Sequence, residues 1–290
     1  MRISGMGFVK RKSFNLAVRG RQVLNRSKTN SPFISGDSFS NACDVAIYGK
    51  KEISFEQLEK ANSIFCPSER LEDFIEDYGQ VISAKILVFG NTDRDFYQLK
   101  SDFPPSVKAV YLQNSHISNG FFRTLPIGIE NLRYGRNGQL ALFKHSYAKQ
   151  EKNGKILLGP LSPTHPERIE LDSWRTIQDS RLQSVSGYLQ PKAHASLASM
   201  FQFIACPRGN GTDTHRFWET LYRGSVPVVK RSAWSQSISE LGIPMVQIES
   251  WDFDEFITQS ENMRPVSINP ERIPLLWMEY WESAFGSDTK

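Results

Sequence analysis

Short apolar runs separated by polar segments recur along the chain. In its first half they predict strands at 33–35, 63–66, 85–89, 109–112 and 124–127. The segments 54–60 and 68–74 between them each begin with a serine, a residue that caps helix N-termini, and are predicted to be helices. Strands that alternate with helices favour parallel βαβ units.

The same pattern starts again after a polar stretch. Residues 133–154 are polar and glycine-containing, which predicts a loop or linker. Further strands are then predicted at 155–158, 201–205, 226–229 and 245–248. The aromatic segment 269–285 predicts a long helix whose rings belong to a core. At 290 residues, the chain is long enough for one large domain or two small ones.

One stretch, 203–229, combines a strand, a tight turn and a helix. Residues 203–206 are apolar, Pro207 ends the strand, and Gly209 and Gly211 allow a turn that exposes backbone N–H groups. Thr212, Asp213 and Thr214 are candidate caps for the helix that follows, and Gly224 suits its end. A glycine turn that opens into a helix N-terminus is suited to holding phosphate.

The two faces of this helix differ in chemistry. At about 100° per residue, one face is apolar and the other carries cations and one carboxylate. The polar face comprises Thr212, His215, Arg216, Glu219 and Arg223. Guanidinium groups bind phosphate oxygens in pairs, and Glu219 could accept hydrogen bonds from ribose hydroxyls. This face therefore indicates a nucleoside diphosphate site. The alternative is a solvated surface helix.

The stretch resembles the C-terminal signature of exostosin-like glycosyltransferases. The shared elements are Pro207-Arg208-Gly209, the polar turn, Arg216-x-x-Glu219, and Gly224-x-x-Pro227-Val228. The segments 113–114 and 125–130 resemble, more faintly, N-terminal parts of bacterial members. The resemblance implies that the donor-binding residues are Arg208, Gly209, Asn210, Gly211, Thr212, Asp213, Thr214, His215, Arg216 and Glu219.

The resemblance also implies the α/β GT-B fold, in which two Rossmann-like domains face each other across a cleft and the donor binds the second. The expected parts are a basic leader at 1–30, an acceptor domain at 31–150, a nucleotide-sugar domain at 151–268, and a helix at 269–290 that returns to the first domain. The expected activity is sugar transfer, with inversion, from a nucleotide sugar to a carbohydrate acceptor in surface polysaccharide or glycan synthesis. The nucleotide sugar is a co-substrate, and no cofactor is expected.

The catalytic base should follow a strand of the first domain and face the donor. Asp37 ranks first because residues 35–38 are small and predict a turn with room for a sugar. Glu130 and Asp93 meet the description almost as well. Acidic side chains in such turns also commonly cap nearby backbone N–H groups, which is the competing interpretation.

Two alternative functions stay open from the sequence. Asp93-x-Asp95 follows a predicted strand, as the metal-binding pair does in GT-A glycosyltransferases, and paired carboxylates can hold Mg²⁺ or Mn²⁺. A metal is not expected, because the predicted cations can neutralise a diphosphate. The second alternative is a nucleotide- or glycan-binding protein without catalysis. A dehydrogenase is disfavoured, since the glycine turn lacks the third glycine of the dinucleotide motif.

Composition and charge bear on location and partners. The net charge is +4, yet residues 1–30 contain eight basic and no acidic residues, namely Arg2, Lys10, Arg11, Lys12, Arg19, Arg21, Arg26 and Lys28. This leader could contact an anionic membrane or acceptor, or could be a solvated helix; no nucleic-acid module accompanies it. Three separated cysteines fit reduced thiols in a cytoplasm, and the sequence has neither an apolar run of membrane length nor a signal core. Because animal and plant exostosin-like enzymes are anchored in the Golgi, the resemblance then implies either a bacterial-type cytoplasmic enzyme without an anchor, peripheral to the membrane at most, or a clipped form of a longer protein.

Overall fold

The computed structural model describes residues 30–47, 54–99, 102–143, 148–263 and 268–287. Nearly all of the predicted basic leader lies outside these ranges. No helix among the described residues combines the length and apolar character needed to cross a bilayer.

The first sheet has five parallel strands whose spatial order follows the chain. They are β1 Val45–Ala46, β2 Ser63–Pro67, β3 Ile86–Gly90, β4 Ala109–Gln113 and β5 Phe122–Leu125. Within the described ranges, three α-helices accompany them: α1 Gly36–Ala42, α2 Phe55–Lys60 and α3 Leu71–Tyr78. Ser54 caps α2 in a reciprocal capping box with Gln57, as the serine at that position predicted.

The central strands of this sheet are buried on both faces. Successive side chains of a strand point to opposite faces, so Val88 joins one apolar cluster while Leu87 joins another. The second cluster includes Leu58 of α2 and Phe74 of α3. Burial on both sides explains why these strands are continuous apolar runs rather than alternating ones.

The second sheet also has five parallel strands, in the spatial order β10-β9-β8-β6-β7. They are β6 Ile156–Leu158, β7 Leu182–Ser184, β8 Phe203–Ala205, β9 Val226–Lys230 and β10 Val246–Ile248. The accompanying helices are α4 Pro166–Leu171, α5 Pro191–Ala198, α6 His215–Tyr222, α7 Ala233–Glu240 and α8 Phe253–Glu261. The chain adds β7 on one side of β6 and then β8 on the other. The strand order therefore reverses between β6 and β8.

The last helix, α9 Met278–Ser287, lies against the first sheet. The ring of Trp281 packs on Phe39 of α1 with centroids 5.4 Å apart, and the ring of Phe285 packs on Tyr111 of β4 at 5.0 Å. The predicted helix over 269–285 is shorter than expected. Pro270 and Pro274 each begin a single 3₁₀ turn instead, because proline cannot donate the hydrogen bonds that continue a helix.

Two parallel sheets in one chain confirm the predicted GT-B class. The prediction failed at 33–35, where Phe33 and Ser35 form only isolated bridges to Trp277 and Gly128. The predicted turn at 35–38 is the start of α1, because the Ser35 hydroxyl accepts a hydrogen bond from the Ser38 N–H and caps that helix.

Candidate active site

The carboxyl ends of the strands in the two sheets face each other. The loops after β3, β4 and β5 contact the glycine turn that follows β8. For example, the Asp213 N–H donates to Asn114 Oδ1 at 2.8 Å, and Nδ1 of His215 lies 2.8 Å from the carbonyl oxygen of Gly128. In α/β sheets the carboxyl edge is where ligands bind, so this cleft is the candidate active site.

Asp213 joins the two domains from a buried position. Its Oδ2 accepts from the backbone N–H of Ile127 in the first domain at 2.7 Å, and its Oδ1 accepts from Trp218 Nε1 at 2.7 Å. Burial raises the pKa of this carboxyl to about 7, against the lowering effect of the hydrogen bonds. The side chain is thus committed to the protein rather than to a donor.

A second set of contacts, the interdomain cluster, consists of Asp95, His116, Arg208 and Thr212. Asp95 Oδ1 accepts from the Thr212 N–H at 3.0 Å, and Asp95 Oδ2 accepts from Arg208 Nη2. His116 Nε2 lies 3.2 Å from Thr212 Oγ1 and 3.5 Å from Asp95 Oδ1. Burial acts to raise the pKa of Asp95, but hydrogen bonds from His116, Thr212 and Arg208 outweigh it and hold that pKa below its usual range.

These contacts engage three of the N–H groups of the glycine turn that were expected to cradle phosphate. The N–H groups of Thr212 and Asp213 donate to side chains of the first domain, and that of Gly209 donates to the Gly211 carbonyl. A Cβ on Gly211 would lie 2.7 Å from Asn114 Nδ2, so glycine is needed there for close contact between the domains. The turn fastens one domain to the other.

Beside this turn, the cleft widens into a cavity of about 1010 Å³, the size of a large ligand pocket. Its walls come from the ends of β6 and β8, where the strand order reverses, and from α5 and α6. Such a switch point leaves a crevice between neighbouring loops. The first domain contributes Asp93, Ile127, Glu130 and Asn137 to the opposite wall.

Of the three guanidinium groups of described residues that line the cavity, those of Arg168 and Arg216 lie at the switch point, while that of Arg175 pairs with Asp172. Arg216 Nη2 donates to the Pro160 carbonyl at 2.7 Å, and Arg168 Nε donates to the Arg208 carbonyl at 2.8 Å. Within the described part of the chain, neither guanidinium forms an ion pair with a carboxylate. Burial, and then the positive charge of Arg216, lowers the pKa of Arg168. The pair forms an electropositive spot that suits an anion.

Two nitrogen atoms at this spot have no hydrogen-bond partner among the described residues, Nη1 of Arg216 and Nε2 of His194. Both nitrogen atoms lie next to the Cα of Gly159. A Cβ built on that residue would lie 3.8 Å from Arg216 Nη1 and 3.3 Å from His194 Nε2. Burial, followed by the charges of Arg216 and Arg223, lowers the pKa of His194 to about 4. The imidazole is therefore neutral near pH 7. Both side chains line the cavity and can offer an N–H to a ligand oxygen.

Glu219 lies one helical turn beyond Arg216 on α6 and also lines the cavity. Its Oε2 accepts from Arg223 Nη1 at 3.2 Å, in a largely buried ion pair. The pairing fixes the carboxylate on the ligand side of the helix. On the opposite side of α6, Phe217, Trp218, Leu221 and Tyr222 are buried, as the helical periodicity predicted.

Most of the predicted donor residues and two of the base candidates line the cavity. These are Asp93, Glu130, Gly209, Asn210, Gly211, Asp213, Thr214, His215, Arg216 and Glu219. Arg208 and Thr212 do not line it and belong to the interdomain cluster. Asn210 Nδ2 donates to Asp93 Oδ2 at 3.2 Å, so this pair also bridges the domains.

Asp37, the first-ranked base candidate, does not line the cavity. Its Oδ1 lies 3.1 Å from Arg133 Nη1, and the carboxylate is mostly buried. Burial raises its pKa against the lowering effect of Arg133. Glu130 is better placed, since its Oε2 accepts from the Asn137 N–H at 2.6 Å and its side chain faces the cavity.

The sequence alone did not reveal Arg168, Arg175, Tyr188 and His194, which all line the cavity. These residues lie outside the sequence motif at 203–229, and the strand order of the second sheet brings them to the same cavity. No group of three or more His, Cys, Asp or Glu side chains suited to a metal ion occurs among the described residues. The second carboxylate of the Asp93/Asp95 alternative is engaged on both oxygens by the interdomain cluster.

Comparison with known proteins gives a partial match. No protein-family model matches the chain. Exostosin-1 of Drosophila melanogaster is 31% identical over 121 residues, which is 41% of this chain and only 16% of that protein. This match confirms the exostosin-like resemblance predicted from the motif. A solved structure, that of AviGT4, a glycosyltransferase involved in avilamycin A biosynthesis, aligns over 84% of this chain and 96% of its own with a TM-score of 0.41 and 11% identity.

Proposed function

We propose that this protein is a glycosyltransferase that moves a sugar from a nucleoside-diphosphate donor to a carbohydrate acceptor. The observation that carries the proposal is the pair of guanidinium groups, Arg168 and Arg216, at the switch point of the second sheet without a carboxylate partner among the described residues. The resemblance to exostosin-like proteins supports the same activity.

The diphosphate of the donor would bind at this pair. Arg216 Nη1 and His194 Nε2, which lack protein partners among the described residues, would donate to phosphate oxygens beside Gly159. An unsatisfied buried donor costs about 1–3 kcal/mol, which a bound oxyanion would offset. Glu219, one turn further along α6, would accept hydrogen bonds from the ribose hydroxyls. The sugar would then project toward the first domain.

The leaving group needs no metal in this proposal. Two guanidinium groups can stabilise the charge that develops on the departing diphosphate. Asp95, which a metal site with Asp93 would require, accepts instead from Thr212 and Arg208. A role for these carboxylates as metal ligands would require the interdomain cluster to open.

We further propose Glu130 as the base, with inversion at the anomeric carbon. Its carboxylate would take the proton of an acceptor hydroxyl, whose oxygen attacks the anomeric carbon while the bond to the β-phosphate oxygen breaks on the opposite face. The N–H groups of Asn137 and Gly138 hold one carboxylate oxygen at 2.6 and 3.3 Å and so fix its direction. Asp93 remains the alternative on the same wall.

Binding and turnover test the proposal together. Thermal shift against a panel of nucleoside diphosphates should identify a ligand, since saturation at about 100 times Kd stabilises by about 2.7 kcal/mol. Arg216→Gln and Glu219→Gln should each weaken that ligand by tenfold or more in calorimetry, because a charge-assisted hydrogen bond is worth about 1.5–3 kcal/mol. Arg231→Gln is the matched control, since Arg231 pairs with Glu249 on the surface outside the cavity.

The outcomes separate the candidate functions. Sugar transfer to an acceptor, or slow hydrolysis of the matching nucleotide sugar, would support the enzyme. Binding without any turnover would favour the nucleotide- or glycan-binding alternative. If no nucleoside diphosphate binds, or if both cleft variants bind as tightly as the Arg231 control, the assignment of the donor site is wrong.

A further inference from the structure

An exposed aromatic ring stands in the cleft on the loop after β7. Tyr188 is 79% exposed and lines the cavity. Other large apolar side chains among the described residues are also exposed, such as Phe55 at 64%, but Tyr188 alone of them lies in the cavity wall. Tyr188 stacks on no other aromatic ring in the described part of the chain. Its faces are therefore open to a ligand.

The base of this loop is fixed although its tip is exposed. Arg175 Nη1 donates to Ser184 Oγ at 2.9 Å and to the Val185 carbonyl at 3.1 Å, while Nη2 donates to the Gly159 carbonyl at 3.3 Å. Its Nε donates to Asp172 Oδ1 at 2.9 Å. Arg175 thus uses its donors to tie the loop to the end of β6. A ring on a braced loop loses less conformational entropy when a ligand orders it.

The position of the ring matches the order of groups in a nucleotide. Neighbouring strands lie about 4.8 Å apart, so the end of β7 is about 10 Å from the end of β8, beyond β6. His194 and Glu219 line the cavity as well. Tyr188 lies only a few residues before α5, the helix that carries His194. A ligand with its diphosphate at Arg216 and its ribose at Glu219 would extend its base toward this loop.

We infer that Tyr188 is the stacking platform for the nucleobase of the donor. This inference rests on the proposed function. Every nucleobase has a π-face, so stacking on tyrosine holds the base without choosing among bases, and it adds affinity only for ligands that contain a base. Tyr188 would thus bind the part of the donor that the cations of α6 do not reach.

Calorimetry with two ligands tests the inference. The probes are the nucleoside diphosphate that binds best in a panel of UDP, GDP, ADP and CDP, and inorganic pyrophosphate, which has no base. Tyr188→Ala should weaken nucleoside diphosphate binding about 5- to 150-fold and leave pyrophosphate binding unchanged. Tyr188→Phe, which keeps the ring, should restore most of the affinity. Phe55→Ala, an exposed aromatic outside the cleft, serves as the control.

The results separate this inference from the function on which it rests. Unchanged nucleoside diphosphate affinity in Tyr188→Ala, with the wild type binding normally, would overturn the stacking role alone. An equal loss for pyrophosphate would also overturn it, because the effect would then not pass through the base. If the wild-type protein binds none of the nucleoside diphosphates, the proposed function fails and the platform with it.

Discussion

Replacing Asp95 by asparagine should loosen the two domains from each other. Asp95 belongs to the first domain, while two of its partners, Thr212 and Arg208, belong to the second. The side chain of Asp95 is 12% exposed and that of Arg208 is 21% exposed, so both charges are largely removed from water. Asparagine keeps the shape but removes the charge that Arg208 faces.

The size of the effect follows from this burial. Removing one partner of a fully buried ion pair costs about 3–5 kcal/mol, and losing a hydrogen bond to a charged group costs about 1.5–3 kcal/mol. Because both groups keep some solvent contact, the lower range applies, and we expect about 2–3 kcal/mol. For proteins of about 150–250 residues, slightly shorter than this chain, 1 kcal/mol changes Tm by about 2–4 °C, so Asp95→Asn should lower Tm by about 4–12 °C.

The loss of stability caused by Asp95→Asn should be smaller at low pH than at pH 7. The hydrogen bonds from His116, Thr212 and Arg208 overcome the effect of burial and hold the pKa of Asp95 below its value in the unfolded chain, which is about 3.9. A lowered pKa in the folded state stabilises the protein above the unfolded value, and this contribution is lost as pH falls toward the folded value. The difference between wild type and Asp95→Asn should therefore be full at pH 7 and shrink below about pH 4.

The assay is thermal or urea unfolding of both proteins at pH 7 and again below about pH 4. Asp179→Asn is the matched control, since Asp179 also pairs with an arginine, Arg181 at 2.6 Å, but on the surface and within one domain. That control should change Tm little. Arg208→Gln should destabilise like Asp95→Asn, and the double variant should cost less than the sum of the two. A Tm change under about 1 °C, or an equal difference at pH 7 and at low pH, would refute this account of the cluster.

Two further predictions concern catalysis. Glu130→Gln should lower the rate of sugar transfer by about 10²–10⁴-fold with donor affinity retained, whereas Asp37→Asn should transfer sugar within a few fold of the wild-type rate. Coupled transfer assays measure the rates, and calorimetry measures donor affinity. If Asp37→Asn loses the activity and Glu130→Gln keeps it, Asp37 is the base. Transfer should also persist in EDTA, because the guanidinium groups neutralise the diphosphate. Loss of activity in EDTA with rescue by Mn²⁺ would favour the Asp93/Asp95 alternative.

The strands that the sequence located best are the ones buried on both faces. The apolar runs at 63–66, 85–89 and 109–112 became β2, β3 and β4 with nearly the same limits, because burial on two sides demands continuous apolar residues. β1 has two residues and β7 has three, with β7 only partly buried. Such short, half-exposed strands have no hydropathy pattern that distinguishes them from loops.

The motif identified the residues of α6 but not the partners of the glycine turn. Helical periodicity placed Arg216 and Glu219 on one face, and they do line the cleft. Arg208, in contrast, meets Asp95 across 113 positions of sequence, a contact that local pattern does not encode. Arg168 and His194 reach the site through the reversal of strand order between β6 and β8, which hydropathy does not encode either.

The position of α9 has a consequence for how the chain is made. Trp281 and Phe285 cover Phe39 and Tyr111 of the first domain, yet they are translated only after the whole second domain. During synthesis the whole second domain is made while one face of the first sheet still lacks this cover. That apolar face is open to chaperones, or to aggregation, until α9 leaves the ribosome. Although the first domain emerges first, this face of its sheet is covered last.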